Sequence, residues 1–230
     1  MLALITQRDF ADPKLGKLDA LEQNYVDYYH QDWGFTLVPV STQTKVLGSY
    51  FDLDPSLIIL SGGNDISPDL YNGKPFPSTS ISKQRDRLER KIISAAINRK
   101  IPILGECRGM QLLNTYFKGT LLPDIKQSYQ ENHTATTHPI QIIHEDLAKT
   151  LGIKNATVNS YHNQGITEKE LSPQLKAFAK TKNGIIEGIY HPNLPILGIM
   201  WHPERGDCTK QVSEKIIDTF LRDKNYFTKT

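Results

Sequence analysis

Short apolar runs alternate along this chain with stretches whose apolar residues recur at helical spacing, the pattern of an α/β domain built around a largely parallel sheet. Residues 2–6, 35–40 and 57–60 read as strands, and residues 18–30 have the spacing of a helix. Leu88, Ile92, Ile93, Ala96 and Ile97 lay one apolar stripe along a helix over residues 85–99, which feeds a strand at 101–105 in βαβ fashion. Residues 134–143 and 157–160 continue the sheet, 177–190 form a hairpin turning at Lys182-Asn183-Gly184, and 194–201 are a further strand. A helix over 216–221 closes the domain. The Pro- and Ser-rich segment 65–82 reads as a loop beside a functional site rather than a boundary, and no repeat or linker divides the chain. The expectation is one domain, residues 1–230, with a mostly parallel central sheet flanked by helices.

The strand at 101–105 runs into Gly105-Glu106-Cys107-Arg108-Gly109 and then directly into helical spacing. This is the form of a nucleophile elbow, in which glycines on either side of the corner let backbone approach backbone. At a helix N-terminus a thiol meets unpaired N–H groups and the positive end of the dipole, which favour thiolate. A free cysteine is by default a small buried hydrophobe. What separates Cys107 from that default is His202-Pro203-Glu204, which follows the strand at 194–201. In extended chain, residues i and i+2 point the same way, so Glu204 is placed to orient His202 while Pro203 ends the strand. Nucleophile, base and orienting acid fit the logic of acyl transfer.

Composition narrows the field. The chain has 230 residues with 27 basic and 25 acidic side chains, a balance without the basic cluster of a nucleic-acid or membrane-surface protein. Two cysteines far apart give no disulfide framework, and the expected compartment is the reducing cytoplasm. Cys208 has no motif around it. The apolar part of the N-terminus is too short for a signal peptide, and no run approaches a membrane span of ~18 residues. The histidines show no paired ligand spacing on one helix, so no metal is expected.

Further motifs carry a resemblance: Leu60-Ser61-Gly62-Gly63-Asn64-Asp65-Ile66-Ser67-Pro68-Asp69-Leu70-Tyr71; Arg85-Asp86-Arg87-Leu88-Glu89; Val158-Asn159-Ser160-Tyr161-His162-Asn163-Gln164; and Gly184-Ile185-Ile186-Glu187. With the elbow and His202-Pro203-Glu204, in this order, the chain resembles the class I glutamine amidotransferase superfamily nearly end to end. It is most similar to the free-standing gamma-glutamyl hydrolase branch. The resemblance implies Cys107 as nucleophile, His202 as base, Glu204 as its orienting acid, and an oxyanion hole from the Gly63 amide and the N–H of Arg108. Asn64 and Asp65 would shape the loop through local bonds. Gln111, one turn beyond Cys107, would help hold the glutamyl group. Asn159, Ser160, Tyr161 and His162 would bind the amino-acid end of the substrate, with His162 open between loop structure and substrate contact. His133 and His138 fall in a region similar to substrate-lining strands.

The implied reaction is cofactor-free hydrolysis of a small-molecule gamma-glutamyl amide through a thioester, releasing L-glutamate and an amine. The compact chain is similar to a branch in surface (capsule) polysaccharide pathways that acts on gamma-glutamyl-CDP-amidate; gamma-glutamyl-GABA is the next candidate. Two alternatives stay open: a glutaminase subunit passing ammonia to a separate synthetase, and a non-catalytic binding protein on the same fold. One residue departs from the family pattern. Glu106 stands where a small or apolar residue is usual, and a carboxylate beside a thiolate opposes its ionisation. Glu106 either points away to a polar or basic partner or assists catalysis or recognition of the substrate amine, and Arg108 either pairs with it or contributes only its backbone.

Overall fold

The computed structural model describes residues 1–73, 80–206, 210–224 and 226–228. Cys208 and part of the 65–82 loop lie outside them. The chain opens with β1 (Leu2–Thr6), a hairpin of β2 (Arg8–Asp12) and β3 (Gly16–Ala20), helix α1 (Gln23–Gln31), β4 (Thr36–Val40), the short α2 (Leu47–Phe51) and β5 (Leu57–Leu60). Then come α3 (Lys83–Arg99), β6 (Ile103–Glu106), α4 (Arg108–Tyr116) and α5 (Ile125–Tyr129). The last part is β7 (Thr136–Ile142), α6 (Glu145–Leu151), β8 (Asn155–Ser160), β9 (Lys176–Lys180), β10 (Ile186–Tyr190), β11 (Ile196–Ile199) and α7 (Lys210–Arg222).

Nine strands form one sheet in the order β4-β1-β5-β6-β11-β10-β9-β7-β8. From β4 to β11 every pairing is parallel, and from β11 to β8 every pairing is antiparallel. The expected α/β architecture with a parallel centre is present, and the hairpin expected at 177–190 is the pair β9–β10. Alternation along β1 explains the two layers of core. Ala3 and Ile5 face one apolar cluster, which holds α1, α6 and α7 side chains, while Leu4 faces the other, which holds α3 and α4 side chains. Such two-sided coverage is why β5 reads as an unbroken Leu-Ile-Ile-Leu run, buried throughout.

One expected element is different. The helix expected over 18–30 starts only at Gln23, and the residues before it form β3 of the β2–β3 hairpin. Asp12 makes that turn, its Oδ1 accepting from the amides of Lys14 and Leu15 at 2.8 Å, a side-chain-made turn of the kind aspartate favours. Asp19 in β3 anchors the hairpin, accepting from Ser41 Oγ at 2.7 Å and Thr42 Oγ1 at 2.6 Å.

The topology fixes where chemistry can occur. β5, β6 and β11 are adjacent and parallel, so their carboxyl ends lie side by side, the position where open α/β sheets place their ligands. Those three ends deliver Ser61-Gly62-Gly63, Cys107 and His202. Among the described residues, no helix is long and apolar enough to cross a membrane.

Candidate active site

Cys107 sits between β6 and α4 with φ 51° and ψ −104°, a backbone conformation a non-glycine residue holds only where its surroundings over-determine it. Its N–H donates to Ile199 O at 2.8 Å, locking the corner to β11. The flanking glycines are required by contact. A Cβ on Gly109 would lie 2.1 Å from Leu60 O, and one on Gly105 would lie 2.7 Å from the Gly109 carbonyl carbon. The elbow expected from the sequence is therefore formed, with the Cys107 side chain 7% exposed at the floor of a cleft.

His202 follows β11, and its Nδ1 lies 2.7 Å from Glu204 Oε1. The expected pair forms, but not through extended chain: Pro203 begins a short 3₁₀ turn that swings Glu204 back to the ring. Burial works against an imidazolium here, but Cys107 and then Glu204 outweigh it and raise His202 to about 10. A cationic imidazole bonded to both a thiol group and a carboxylate can hold an ionised nucleophile. The His202 backbone is clamped as well: its N–H donates to Asn159 Oδ1 at 2.8 Å, and Asn159 Nδ2 donates to its carbonyl at 2.8 Å.

Glu106 is fully buried, as is the whole of β6. It accepts a hydrogen bond from Tyr29 Oη, a polar partner, but it does not point away from the catalytic pair, since the Glu204 carboxyl and the His202 ring both act on it. Burial and then the Glu204 carboxylate hold Glu106 well above the usual carboxylate range, which favours the neutral acid. Neutral, it does not oppose a thiolate at Cys107.

Arg108 does not pair with Glu106. Its guanidinium reaches the opposite way, donating to Asp86 Oδ1 at 2.5 Å and to Glu89. Arg85 completes this buried cluster, donating to Glu89 Oε1 at 2.8 Å, Ser61 O at 2.8 Å and Gly62 O at 2.9 Å. The Arg85-to-Glu89 motif is thereby explained: it fastens α3 to the loop after β5. In that loop Gly62 N–H donates to Tyr25 Oη at 2.9 Å. Gly63 has φ +118°, a conformation suited to glycine. The amides of Gly63 and Arg108 have no acceptor among the described residues, and both residues line the pocket at Cys107. Asn64 and Asp65 do shape the loop, but through distant partners: Asn64 Nδ2 donates to Asp9 O at 2.8 Å, and Asp65 accepts from Ser80 N–H at 3.0 Å.

The substrate-side residues separate into groups. Gln111 is buried in a small pocket of about 170 Å³ with Cys107, Tyr161, His162 and Gln164, and its Nε2 donates to Gln164 O at 3.1 Å. Tyr161 is exposed at the pocket mouth, edge-on to the His202 ring with Arg205 4.2 Å above its own. Asn159 and Ser160 face inward: Asn159 is spent on His202, and Ser160 Oγ donates to His133 O at 2.7 Å. They position the site rather than meet a ligand. His162 touches the small pocket with one edge and Glu187 with its Nε2, 3.7 Å away. The sequence argument against a metal does not survive the fold, because strand pairing brings His133, His138, His162 and Glu187 together without any local spacing.

Several functional positions were not read from the sequence. The main cleft, about 650 Å³, is also lined by Arg8 and Asp9 of the hairpin and by Arg205. Glu22 ties both arginines, through an ion pair with Arg8 and one of 3.3 Å with Arg205. Gln164 is buried with its Oε1 unpartnered among the described residues. The Pro and Gly at the Asp12 turn were the available signal for the hairpin; Gln164 ends a motif quoted above without a role, and nothing local marks Arg205.

The sequence matches the peptidase C26 family over residues 6–204. The protein NtpR of Enterococcus hirae is 34% identical over 87% of this chain and 88% of its own length. The gamma-glutamyl-CDP-amidate hydrolase of Campylobacter jejuni is 32% identical over 78% of this chain and 84% of its own. The glutaminase domain of Trypanosoma brucei CTPS, with bound acivicin, superposes with a TM-score of 0.65 at 12% identity, covering 98% of this chain and 95% of that one. At that identity the likeness concerns the fold.

Proposed function

The chain belongs to the peptidase C26 family, an enzyme family similar to the class I glutamine amidotransferases, and from that premise we propose that it hydrolyses gamma-glutamyl amides whose leaving group is anionic. The observation that carries the reading is the meeting, at three adjacent strand ends, of Cys107, the His202–Glu204 pair and the unbonded Gly63 amide. The Cys107 thiolate attacks the gamma-carbonyl carbon, a C–S bond forms, and the carbonyl electron pair moves to oxygen. The Gly63 and Arg108 amides receive that charge, each worth about 3 kcal/mol of barrier. Collapse breaks the C–N bond while His202 protonates the departing amine. His202 then takes a proton from water, which attacks the thioester and releases glutamate and the thiolate.

The pocket at Gln111 is on the scale of one amino acid. The unpartnered Gln164 Oε1 and the Asp65 carboxyl offer acceptors for the glutamyl ammonium. The larger cleft takes the leaving group, with Arg8 and Arg205 on its wall. A cleft of about 650 Å³ exceeds what GABA fills and favours a bulkier anion such as a cytidine diphosphate group. The test is glutamate release from L-glutamine, gamma-glutamyl-GABA and gamma-glutamyl-CDP-amidate, with Cys107→Ala alongside. Cysteine-dependent turnover of the nucleotide conjugate well above the others is expected. Turnover of glutamine only in the presence of a synthetase would instead establish the ammonia-supplying subunit.

A further inference from the structure

Behind the small pocket, three imidazoles surround one carboxylate oxygen. His133 Nδ1, His138 Nε2 and His162 Nε2 lie 3.4, 3.6 and 3.7 Å from Glu187 Oε1. One ligand atom from each of the four residues falls within 4.8 Å of all the others. His133, His162 and Glu187 are more than nine-tenths buried. Among the described residues, none of these four facing atoms has a hydrogen-bond partner, nor has Glu187 Oε2. A buried carboxylate without hydrogen bonds is costly, and what faces Glu187 is three imidazoles at ion-pair distance, of which His133, against the opposing effect of burial, is raised from 6.5 by Glu187 and Glu131.

We propose that His133, His138, His162 and Glu187 bind a single divalent transition-metal ion, zinc by preference. Around a tetrahedral zinc with bonds of about 2.0–2.1 Å, neighbouring donor atoms are about 3.3 Å apart. The three separations from Glu187 Oε1 are already close to that edge. The donor set is N₃O, which suits zinc better than the oxygen-seeking calcium or magnesium.

Outer contacts of two of the three rings fit the same role, while His138 Nδ1 has no hydrogen-bond partner among the described residues. A ligating histidine normally donates its other N–H to a carboxylate or carbonyl. His133 turns its Nε2 to Glu131 Oε2 at 3.3 Å, and His162 turns its Nδ1 to Gln164 O at 2.9 Å. An approach path exists: a cavity of about 200 Å³ lined by His133, His138, Glu131 and Lys182 among others.

The ligands come from the segment before β7, from β7, from the loop after β8 and from β10. One ion would therefore tie three strands of the antiparallel half into a unit. Gln164 O accepts from Gln111 as well as facing His162, so the ion would also brace the wall of the small pocket. Its role is positional, since the cleft at Cys107 lies on the other side of His162.

The test is zinc binding to the untagged, chelator-dialysed full chain, measured by competition with a chromogenic chelator in wild type and in Cys107→Ala. One equivalent is expected in both. Cobalt(II) should give the intense visible bands of a tetrahedral site without thiolate charge transfer. Glu187→Gln and the partly exposed His138→Ala, each checked as folded by circular dichroism, should bind about tenfold or more weakly. Absence of stoichiometric zinc in folded wild type, unchanged affinity in both variants, or loss of binding in Cys107→Ala would each overturn the site.

Discussion

Arg85, Asp86, Glu89 and Arg108 are buried as deeply as His133, His162 and Glu187, yet the two groups meet burial differently. In the first, opposite charges alternate: Glu89 takes both arginines, Asp86 takes Arg108, and the spare donors of Arg85 go to backbone carbonyls of the loop holding Gly63. In the second, ring nitrogens and carboxylate oxygens face one another at distances that leave them unbonded. The lesson is that a buried polar cluster can be either a finished strut or a receptacle. The distinction lies in whether its donors and acceptors balance.

The largest effect on that contrast should come from the strut. Arg85→Met leaves the Ser61 and Gly62 carbonyls without their donor and halves the compensation of Glu89, at an expected cost of about 3–5 kcal/mol, read from urea denaturation. A cost below about 1 kcal/mol would mean the cluster does not hold the loop. A second loss, of comparable size, should follow pH at the catalytic pair. Burial opposes the His202 cation, but Cys107 and Glu204 raise it from 6.5 to about 10. The stability it contributes is therefore complete below pH 6.5 and disappears as pH rises through about 10. The stability difference between wild type and His202→Gln should shrink across that window; a difference constant with pH would contradict the assignment. The smallest effect is expected in the receptacle without metal. Glu187→Gln removes a carboxylate that has no hydrogen bond, so it should change metal-free stability by less than about 1 kcal/mol or raise it. A loss as large as that of Arg85→Met would erase the contrast.

How far the sequence reached follows from the range of each interaction. The Cys107 corner and the His202–Glu204 pair were legible because their causes are local: glycines at fixed offsets, and an i, i+2 pairing ended by proline. The parallel part of the sheet was legible as strands, because there short apolar runs alternate with helical spacing, but the order of the strands was not. The β2–β3 hairpin was hidden because its residues are half-exposed and lack a two-residue apolar period, and its anchor Asp19 acts across sequence on Ser41 and Thr42. Glu187 and Gln164 stood in quoted motifs without a role. Theirs come from partners that only strand pairing brings near. Asn159 was read toward substrate, while its amide serves the backbone of a residue 43 positions away.

The central claim, covalent catalysis at Cys107 within this cleft, is tested most directly by rapid quench and peptide mass spectrometry during turnover of gamma-glutamyl-CDP-amidate. The account predicts a gamma-glutamyl adduct on the peptide containing Cys107, formed and lost at the rate of glutamate release and absent from Cys107→Ala. Glutamate release that persists in Cys107→Ala, or turnover in wild type with the adduct on another residue, would contradict it.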